Sequence, residues 1–287
     1  MNAPLVVIVG ETASGKSALA MEVARACNGE IICADSWTVR REVDIGTAKP
    51  TPAEQAEIPH HLLDVAAPDE DYTAAVFKVQ ALHAIQDITK RGKLPIMVGG
   101  TGLYIDGVLY DFGFLKAGDR EQRSVLNRLT IPELLDLLHT KGIVLGDVDQ
   151  RNKRRLIRLL ETNGAKPTKG TLRPNTLILG TVITREDLRQ RIERRIDTML
   201  SAGLEAEVRQ LVMRYGWECE ALKGVGYREW REYFDGSQTI EQTRQRIIKS
   251  TLDLAKRQRT WFKRNNSIHW LTDRSIAVDL ITTFLNT

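Results

Sequence analysis

The sequence predicts an α/β fold: a P-loop-type parallel sheet flanked by helices, carrying a small helical insertion domain. Three observations predict it. Short apolar, β-branched runs recur at Leu5–Val9, Glu30–Ala34, Leu94–Val98 and Thr176–Ile183. Segments with helical spacing of apolar residues lie between them, the alternation that builds a parallel sheet with helical crossovers. A glycine-containing stretch, Gly10 to Gly15, closes the first run and opens the first helix.

Leu5–Val9 is apolar throughout, as a strand buried on both faces must be. From Ser14 to Ala26 the spacing of Leu19, Val23 and Ala26 predicts a helix. Glu30–Ala34 is the second strand. Pro50, Pro52, Pro59 and Pro68 make residues 50–72 mostly loop, with one short helix. Tyr72–Arg91 reads as a helix with Val76, Val79, Ile85 and Ile88 on one face, ended by Gly92. Leu94–Val98 is the third strand, closed by Gly99-Gly100-Thr101-Gly102. Beyond residue 112 the strand signal thins, and Arg120–Leu129, Ile131–His139 and Val148–Glu161 read as short helices. Two prolines and two glycines make Asn163–Pro174 a loop. Thr176–Ile183 returns to the sheet, and Thr184-Arg185-Glu186-Asp187 has the form of a capping box that opens a basic helix to Met199. The chain onward to about Arg264 is mostly helical. The expected domains are a catalytic domain over 1–114 and 173–287 and an insertion over 115–172.

With 42% hydrophobic residues in 287, the chain has enough apolar material for a sizeable core, which excludes disordered and fibrous classes. No apolar run reaches the roughly 18 residues of a membrane span, and the apolar N-terminal run meets Gly10 and Glu11 too soon for a signal peptide. The three cysteines, Cys27, Cys33 and Cys219, are few and widely spaced. They argue against a disulfide framework or a zinc site and favour a cytoplasmic protein. His60 and His61 follow a proline with no third metal-ligand candidate nearby, so they read as structural.

Gly10-Glu11-Thr12-Ala13-Ser14-Gly15-Lys16-Ser17 fits the pattern G-x-x-x-x-G-K-[ST] after a strand and before a helix. Glycines let the backbone wrap an anion, and the helix N-terminus supplies partial positive charge. Lys16 adds a full charge, and Ser17 is the residue to hold a Mg²⁺. The loop therefore binds a diphosphate or triphosphate. The metal-assisting Asp of many P-loop NTPases is missing after Leu94–Val98, where Gly-Gly-Thr-Gly stands instead. The second strand does end in a carboxylate, Asp35. At a strand's C-terminal edge beside the phosphate loop it is a metal ligand, a cap or a general base.

These residues, with others in the same order, resemble the tRNA dimethylallyltransferase family. The matching stretches are Gly10–Ser17, Ala34-Asp35-Ser36, Asp44-Ile45-Gly46-Thr47-Ala48-Lys49-Pro50, Pro59-His60-His61-Leu62-Leu63-Asp64 and Val98-Gly99-Gly100-Thr101-Gly102-Leu103-Tyr104. Val225-Gly226-Tyr227-Arg228 and Ala255-Lys256-Arg257-Gln258 with Trp261-Phe262 follow, so the resemblance spans nearly the whole chain. It implies transfer of a dimethylallyl group from dimethylallyl diphosphate to N6 of the adenine 3′ of the anticodon in tRNA, with Mg²⁺ and a monomeric enzyme. On that reading Gly10, Thr12, Ala13, Ser14, Gly15, Lys16 and Ser17 hold the diphosphate. Arg195 joins them, Thr101 sits at the bridging oxygen and Asp35 is the general base on N6. Asp35, Ser36, Trp37, Thr38 and Thr101 meet the flipped base. Arg123, Arg154, Arg155 and Arg158, with the turn Lys223, Gly224, Val225, Gly226, Tyr227 and Arg228, meet the tRNA anticodon arm. Arg195 and the turn each keep an alternative: Arg195 as a residue of a solvated helix face, and the glycine-rich segment as an interhelix turn with Tyr227 packed in the core.

The sequence departs from the family pattern in places. Thr38 replaces a usual Gln and offers one hydrogen bond where an amide offers two. Glu11 replaces a usual Pro and is expected to point to solvent, away from the diphosphate; Arg40 replaces a usual Tyr. Arg154 stands where the insertion's motif has Gln, and the insertion is shorter than is typical.

The net charge of +4 conceals an asymmetry. Residues 151–195 hold 13 Lys/Arg against four Asp/Glu, and residues 244–264 hold eight against one, leaving the remainder at −12. Basic stripes of this kind form either a phosphate-backbone track or solvated faces paired with acids. Trp261 and Phe262 in the second stripe either stack an unpaired base or belong to the core. Two other classes compete with the transferase: a P-loop kinase of a nucleoside or small metabolite, and a non-catalytic RNA-binding relative.

Overall fold

The computed structural model describes residues 3–116 and 118–286, so the expected domain limits at 1 and 287 lie outside the described residues. In chain order it begins β1 (Leu5–Val9), α1 (Lys16–Ala26), β2 (Gly29–Cys33), α2 (Pro52–Glu57), β3 (His60–His61), α3 (Ala74–Lys90), β4 (Leu94–Gly99) and α4 (Gly102–Leu109). Next come α5 (Arg120–Arg128), α6 (Ile131–Thr140) and α7 (Lys153–Glu161). The chain then returns through β5 (Thr176–Thr181), α8 (Arg185–Ser201), α9 (Leu204–Tyr215), two 3₁₀ turns, α10 (Arg231–Phe234), α11 (Ile240–Phe262), β6 (Ile268–Leu271) and α12 (Ala277–Leu285). Two compact units result, one running to Leu109 and resuming at Arg173, the other spanning Tyr110–Leu172.

The larger unit is built on a six-stranded sheet in the order β3-β2-β4-β1-β5-β6, every pair parallel. β1 lies at its centre with all five residues buried, which is why it reads as an unbroken apolar run. Because side chains alternate, Val6, Ile8, Ile31, Cys33, Ile96 and Val98 share one face with Leu19, Val23 and Ile281 of α1 and α12. A second cluster joins α8, α9 and α11 around Ile192, Val208, Ile247 and the fully buried Trp230. Open parallel sheets bind ligands beyond the strands' carboxyl ends, where the order reverses. The segments after β1, β2 and β4 all emerge there.

Several expectations are corrected. In α3 the buried face is Phe77, Ala81, Ile85 and Ile88, while Val76 and Val79 are exposed. Thr73 accepts from the Val76 amide and so satisfies one of the free N–H groups of the first turn. Residues 148–152 are not helical; Asn152 caps α7. The returning strand stops at Thr181, two residues short of Ile183. The sequence offered no assignment beyond Arg264, where β6 and α12 complete the sheet and its covering layer. His60 and His61 form a strand of their own; His61 bonds the buried Glu30 at 2.7 Å, a structural role. Among the described residues no helix is long and apolar enough to cross a membrane.

The smaller unit packs α5, α6 and α7 around Leu134, Leu138, Leu156 and Ile157. Thr130 and Glu133 form a full capping box at the start of α6.

Candidate active site

The phosphate loop is held open by its own geometry. Gly15 has φ 86° and Ala13 φ 59°, so the chain enters α1 through left-handed turns, and no side chain caps the helix. The N–H groups of Ala13, Gly15, Lys16 and Ser17 have no backbone partner among the described residues, leaving a nest of donors for an anion. Two loop residues expected to join them are otherwise engaged. The Thr12 amide donates to Gln258 Oε1 at 2.7 Å, and the Ser14 amide donates to Glu11 O at 3.2 Å. The Ser14 hydroxyl, fully buried, pairs with Thr181 Oγ1 at 2.7 Å. Thr12 and Ser14 therefore shape the cradle, and their amides do not face an anion.

Glu11 does not point to solvent. It is buried and forms a two-pronged ion pair with Arg259 of α11, with Nη2 to Oε2 at 2.8 Å. The expected clash with a diphosphate is thus avoided by a partner 248 residues away. The pair anchors the loop to α11, and Gln258 beside it adds a bond to Gly100 O at 3.1 Å. Glu11→Gln keeps the shape but breaks the charge pair, leaving Arg259 half-satisfied. We expect a loss of about 1–3 kcal/mol in unfolding free energy at neutral pH, read from the urea transition; an unchanged midpoint would show that the pair does not hold the loop.

Lys16 projects from the first turn of α1 and donates to Glu11 O at 3.3 Å. Burial pulls its ammonium down to about 8, a shift that Asp35 opposes and Arg195 reinforces. Arg195 faces the loop from α8, while Arg191 and Arg194 on the same helix are exposed. Its guanidinium donates to Thr47 O at 3.1 Å and Thr12 Oγ1 at 3.5 Å, and burial lowers its pKa. It is a site residue by position and not a solvated one.

After β2 the chain turns at Asp35. Oδ1 accepts from the Trp37 amide at 2.9 Å and the Thr38 amide at 3.4 Å; Oδ2 takes part in neither bond. Asp35 is thus a turn acceptor through one oxygen, and as a residue it lines the cavity beside the phosphate loop. Thr101 sits beside it: its hydroxyl accepts from the Ser36 amide at 3.0 Å and lies 3.3 Å from Ser36 Oγ. Thr38 is buried, and among the described residues its hydroxyl has no hydrogen-bond partner. Arg40 is buried and clamps the carbonyls of Ala67, Pro68 and Glu70, the last at 2.7 Å. It is a structural strut in place of the usual Tyr.

Two cavities meet at these residues. The first, of about 180 Å³, is polar where Lys16, Ser17, Thr38 and Lys49 line it and apolar where Met21, Ile31, Cys33 and Val98 do. The second is lined by Trp37, Gly46, Ile192, Val225 and Gly226. Thr12, Asp35, Thr47 and Arg195 belong to the walls of both. Among the described residues no cluster of three or more His, Cys, Asp or Glu could hold a metal.

The family description "IPP transferase" matches residues 38–265. The chain belongs to the IPP transferase family. Among its relatives, the tRNA dimethylallyltransferase of Anoxybacillus flavithermus is 39% identical over 289 residues, 96% of this chain and 93% of that protein. That of Streptococcus equi subsp. zooepidemicus is 43% identical over 274 residues, 93% and 90% of the two chains. The crystal structure of the full-length tRNA isopentenylpyrophosphate transferase from Bacillus halodurans superposes with a TM-score of 0.76 at 34% identity, covering 99% and 96% of the chains. A eukaryotic dimethylallyltransferase acting on tRNA gives 0.80 at 26% identity, covering 98% and 80%.

The family member's expected tRNA contacts fall into different environments. Gly224 packs under the Trp37 ring, and Val225 and Gly226 line the second cavity. Tyr227 is corrected: at 1% exposure it is a core residue with no face for a nucleic acid, and its hydroxyl donates to Glu207. Lys223 pairs with Glu220, and Arg228 with Glu229 at 3.0 Å. In the smaller unit Arg154 and Arg155 are exposed, whereas Arg123 and Arg158 both engage the buried Glu161, at 3.3 and 3.2 Å. In the second basic stripe Arg244, Arg246 and Arg259 are paired with acids, leaving exposed Lys249, Lys256, Arg257, Lys263 and Arg264. Phe262 is core, and Trp261 is tied to Asp106 at 2.9 Å. Arg274, between β6 and α12, donates to Ser14 O and lies where a side chain on Gly15 would stand. No sequence signal announced it.

Proposed function

We propose that the chain transfers a dimethylallyl group from dimethylallyl diphosphate to the exocyclic N6 of the adenine 3′ of the anticodon in tRNA. The observation that carries this reading is the shared wall: one cavity begins at a phosphate cradle, the other opens beside Trp37 and Val225, and Asp35 stands between them. The donor's diphosphate sits on the free amides of Ala13, Gly15, Lys16 and Ser17, with Lys16 and Arg195 adding charge. The flipped adenine enters through the second cavity, as base-modifying enzymes require. N6 attacks the allylic C1, the N–C bond forms, and the C1–O bond breaks with its electrons leaving on diphosphate. The N6 proton passes to the free oxygen of Asp35. Negative charge grows on the departing oxygens where Lys16, Arg195 and the loop amides already point.

The residues fit a Mg²⁺ of the kind that keeps most of its water and leans on substrate phosphate, since Ser17 lines the cradle and, among the described residues, no acidic cage surrounds it. When bound, the ion neutralises charge on the diphosphate. In the smaller unit the exposed Arg154 and Arg155, and in the larger unit the exposed Lys249, Lys256 and Arg257 of α11, are separately proposed to meet backbone phosphates of the tRNA. The setting is a monomer in the cytoplasm.

The test uses the purified protein with Mg²⁺, bulk tRNA and either dimethylallyl diphosphate or ATP, followed by mass analysis of the nucleosides. N6-isopentenyladenosine is expected with the allyl donor alone. ATP turnover without modified tRNA, or tight tRNA binding with neither reaction, would overturn the reading.

A further inference from the structure

Glu207 lies on α9, outside every motif that the sequence brought forward. Its carboxylate receives four hydrogen bonds. The amides of Asp44 and Ile45 reach Oε2 at 2.9 and 2.8 Å, the amide of Gly46 reaches Oε1 at 3.1 Å, and the Tyr227 hydroxyl reaches Oε1 at 2.7 Å. Three successive backbone N–H groups pointing to one place form an anion nest, and the anion here is the protein's own. A carboxylate offers about four acceptor sites, and all are used.

The segment so held is the wall of the reaction site. Thr47 follows directly, and its carbonyl accepts from the Arg195 guanidinium at 3.1 Å. Thr47, Ala48, Lys49 and Pro50 line the first cavity, and Gly46 and Thr47 line the second. Tyr227 closes the arrangement from behind: a Cβ on Gly46 would stand 2.5 Å from its ring. The loop therefore has no slack on that side.

We propose that Glu207 is a positioning residue for diphosphate binding: it fixes the Asp44–Pro50 loop, and through Thr47 O it fixes Arg195. The inference rests on the transfer reading for its meaning, though not for its test. Removing the negative charge leaves three amides and a buried phenol competing for fewer acceptors. The loop relaxes, and Arg195 loses the carbonyl that aims it.

Glu207→Gln is the informative variant, because it preserves volume and packing while replacing one acceptor oxygen by a donor. A residue that merely fills space tolerates it. We expect the Kd for inorganic pyrophosphate and the KM for the allyl donor to rise about tenfold, the loss of roughly one strong hydrogen bond. The Kd for tRNA stays within about twofold, since its phosphate contacts lie elsewhere. Gly46→Ala disturbs the same contact from the loop side and is expected to weaken pyrophosphate in the same direction, which keeps the test alive if Glu207→Gln folds poorly. Pyrophosphate affinity within twofold of wild type in a folded Glu207→Gln protein, or an equal loss of pyrophosphate and tRNA affinity, overturns the proposal. Pyrophosphate binding is read without turnover. A wild-type protein that binds it yet modifies no tRNA therefore sinks the transfer reading alone, while one that does not bind it sinks both.

Discussion

Asp35→Asn is expected to lower kcat for transfer to tRNA by about 10²–10⁴ while leaving the melting midpoint within a few degrees of wild type. The two halves of that expectation come from the two oxygens. Oδ1 accepts from the Trp37 and Thr38 amides and holds the turn after β2. An asparagine keeps that acceptor, so the turn survives. The second oxygen becomes an amide nitrogen, which cannot take the N6 proton. The adenine amine is a poor nucleophile because its lone pair is delocalised into the ring, so without a base the proton must leave to water in a cavity walled by protein. Asp35→Ala differs instructively: it removes both functions and should cost stability as well as rate. The pair of variants therefore separates a catalytic carboxylate from a mere cap, two of the three alternatives the sequence left open. Near-wild-type kcat in Asp35→Asn would reduce Asp35 to the turn acceptor.

How much of this was legible in the sequence depended on how local each cause was. The phosphate loop is local: a strand, glycines at fixed spacing and a helix start, all within residues 5–26, and it stands where expected. Glu11 was misread because its cause is remote; nothing near residue 11 announces Arg259. The face of α3 differs from expectation because Val76 and Val79 are apolar yet exposed, whereas packing buries Phe77, stacked on Tyr104 of α4 at 4.2 Å, and Ala81 on the same side. The edge strand β6 gave no signal because His269 and Trp270 in its middle are both exposed, so its four residues do not read as a buried run. With β6 went Arg274. The basic stripe of α11 read as one feature but divides in space into pairs with Asp197, Glu232 and Glu11 and a separate exposed set. Charge counts see only the chain; pairing is decided by packing. Arg195 became identifiable only through the family resemblance, since among several nearby arginines the helix turn alone decides which one meets Thr12 and Thr47.

The second large effect concerns Lys16 and pH. In the free protein its pKa is brought down to about 8, chiefly by burial, with Arg195 pushing the same way and Asp35 pushing back. A bound diphosphate adds negative charge beside the ammonium and favours the protonated form. Donor binding therefore requires a charge that the empty site gives up above pH 8. kcat/KM for the donor is expected to fall by roughly tenfold per pH unit above that point, whereas kcat at saturating donor holds to higher pH. Lys16→Arg, whose guanidinium stays charged, should flatten the profile at a reduced absolute rate. Lys16→Ala should lose about 10²–10³ in kcat/KM at neutral pH, as expected for removal of a charge aimed at the leaving group. Unfolding does not imitate this profile. Below pH 8 the lysine is charged in both the folded and the unfolded chain. Between about 8 and its ordinary 10.5 the folded site releases the proton first, so this group makes folding more favourable as pH rises. Activity and stability should thus move in opposite directions across one window. A kcat/KM that stays level from pH 7 to about 9.5 in the wild type would remove Lys16 from the account of donor binding.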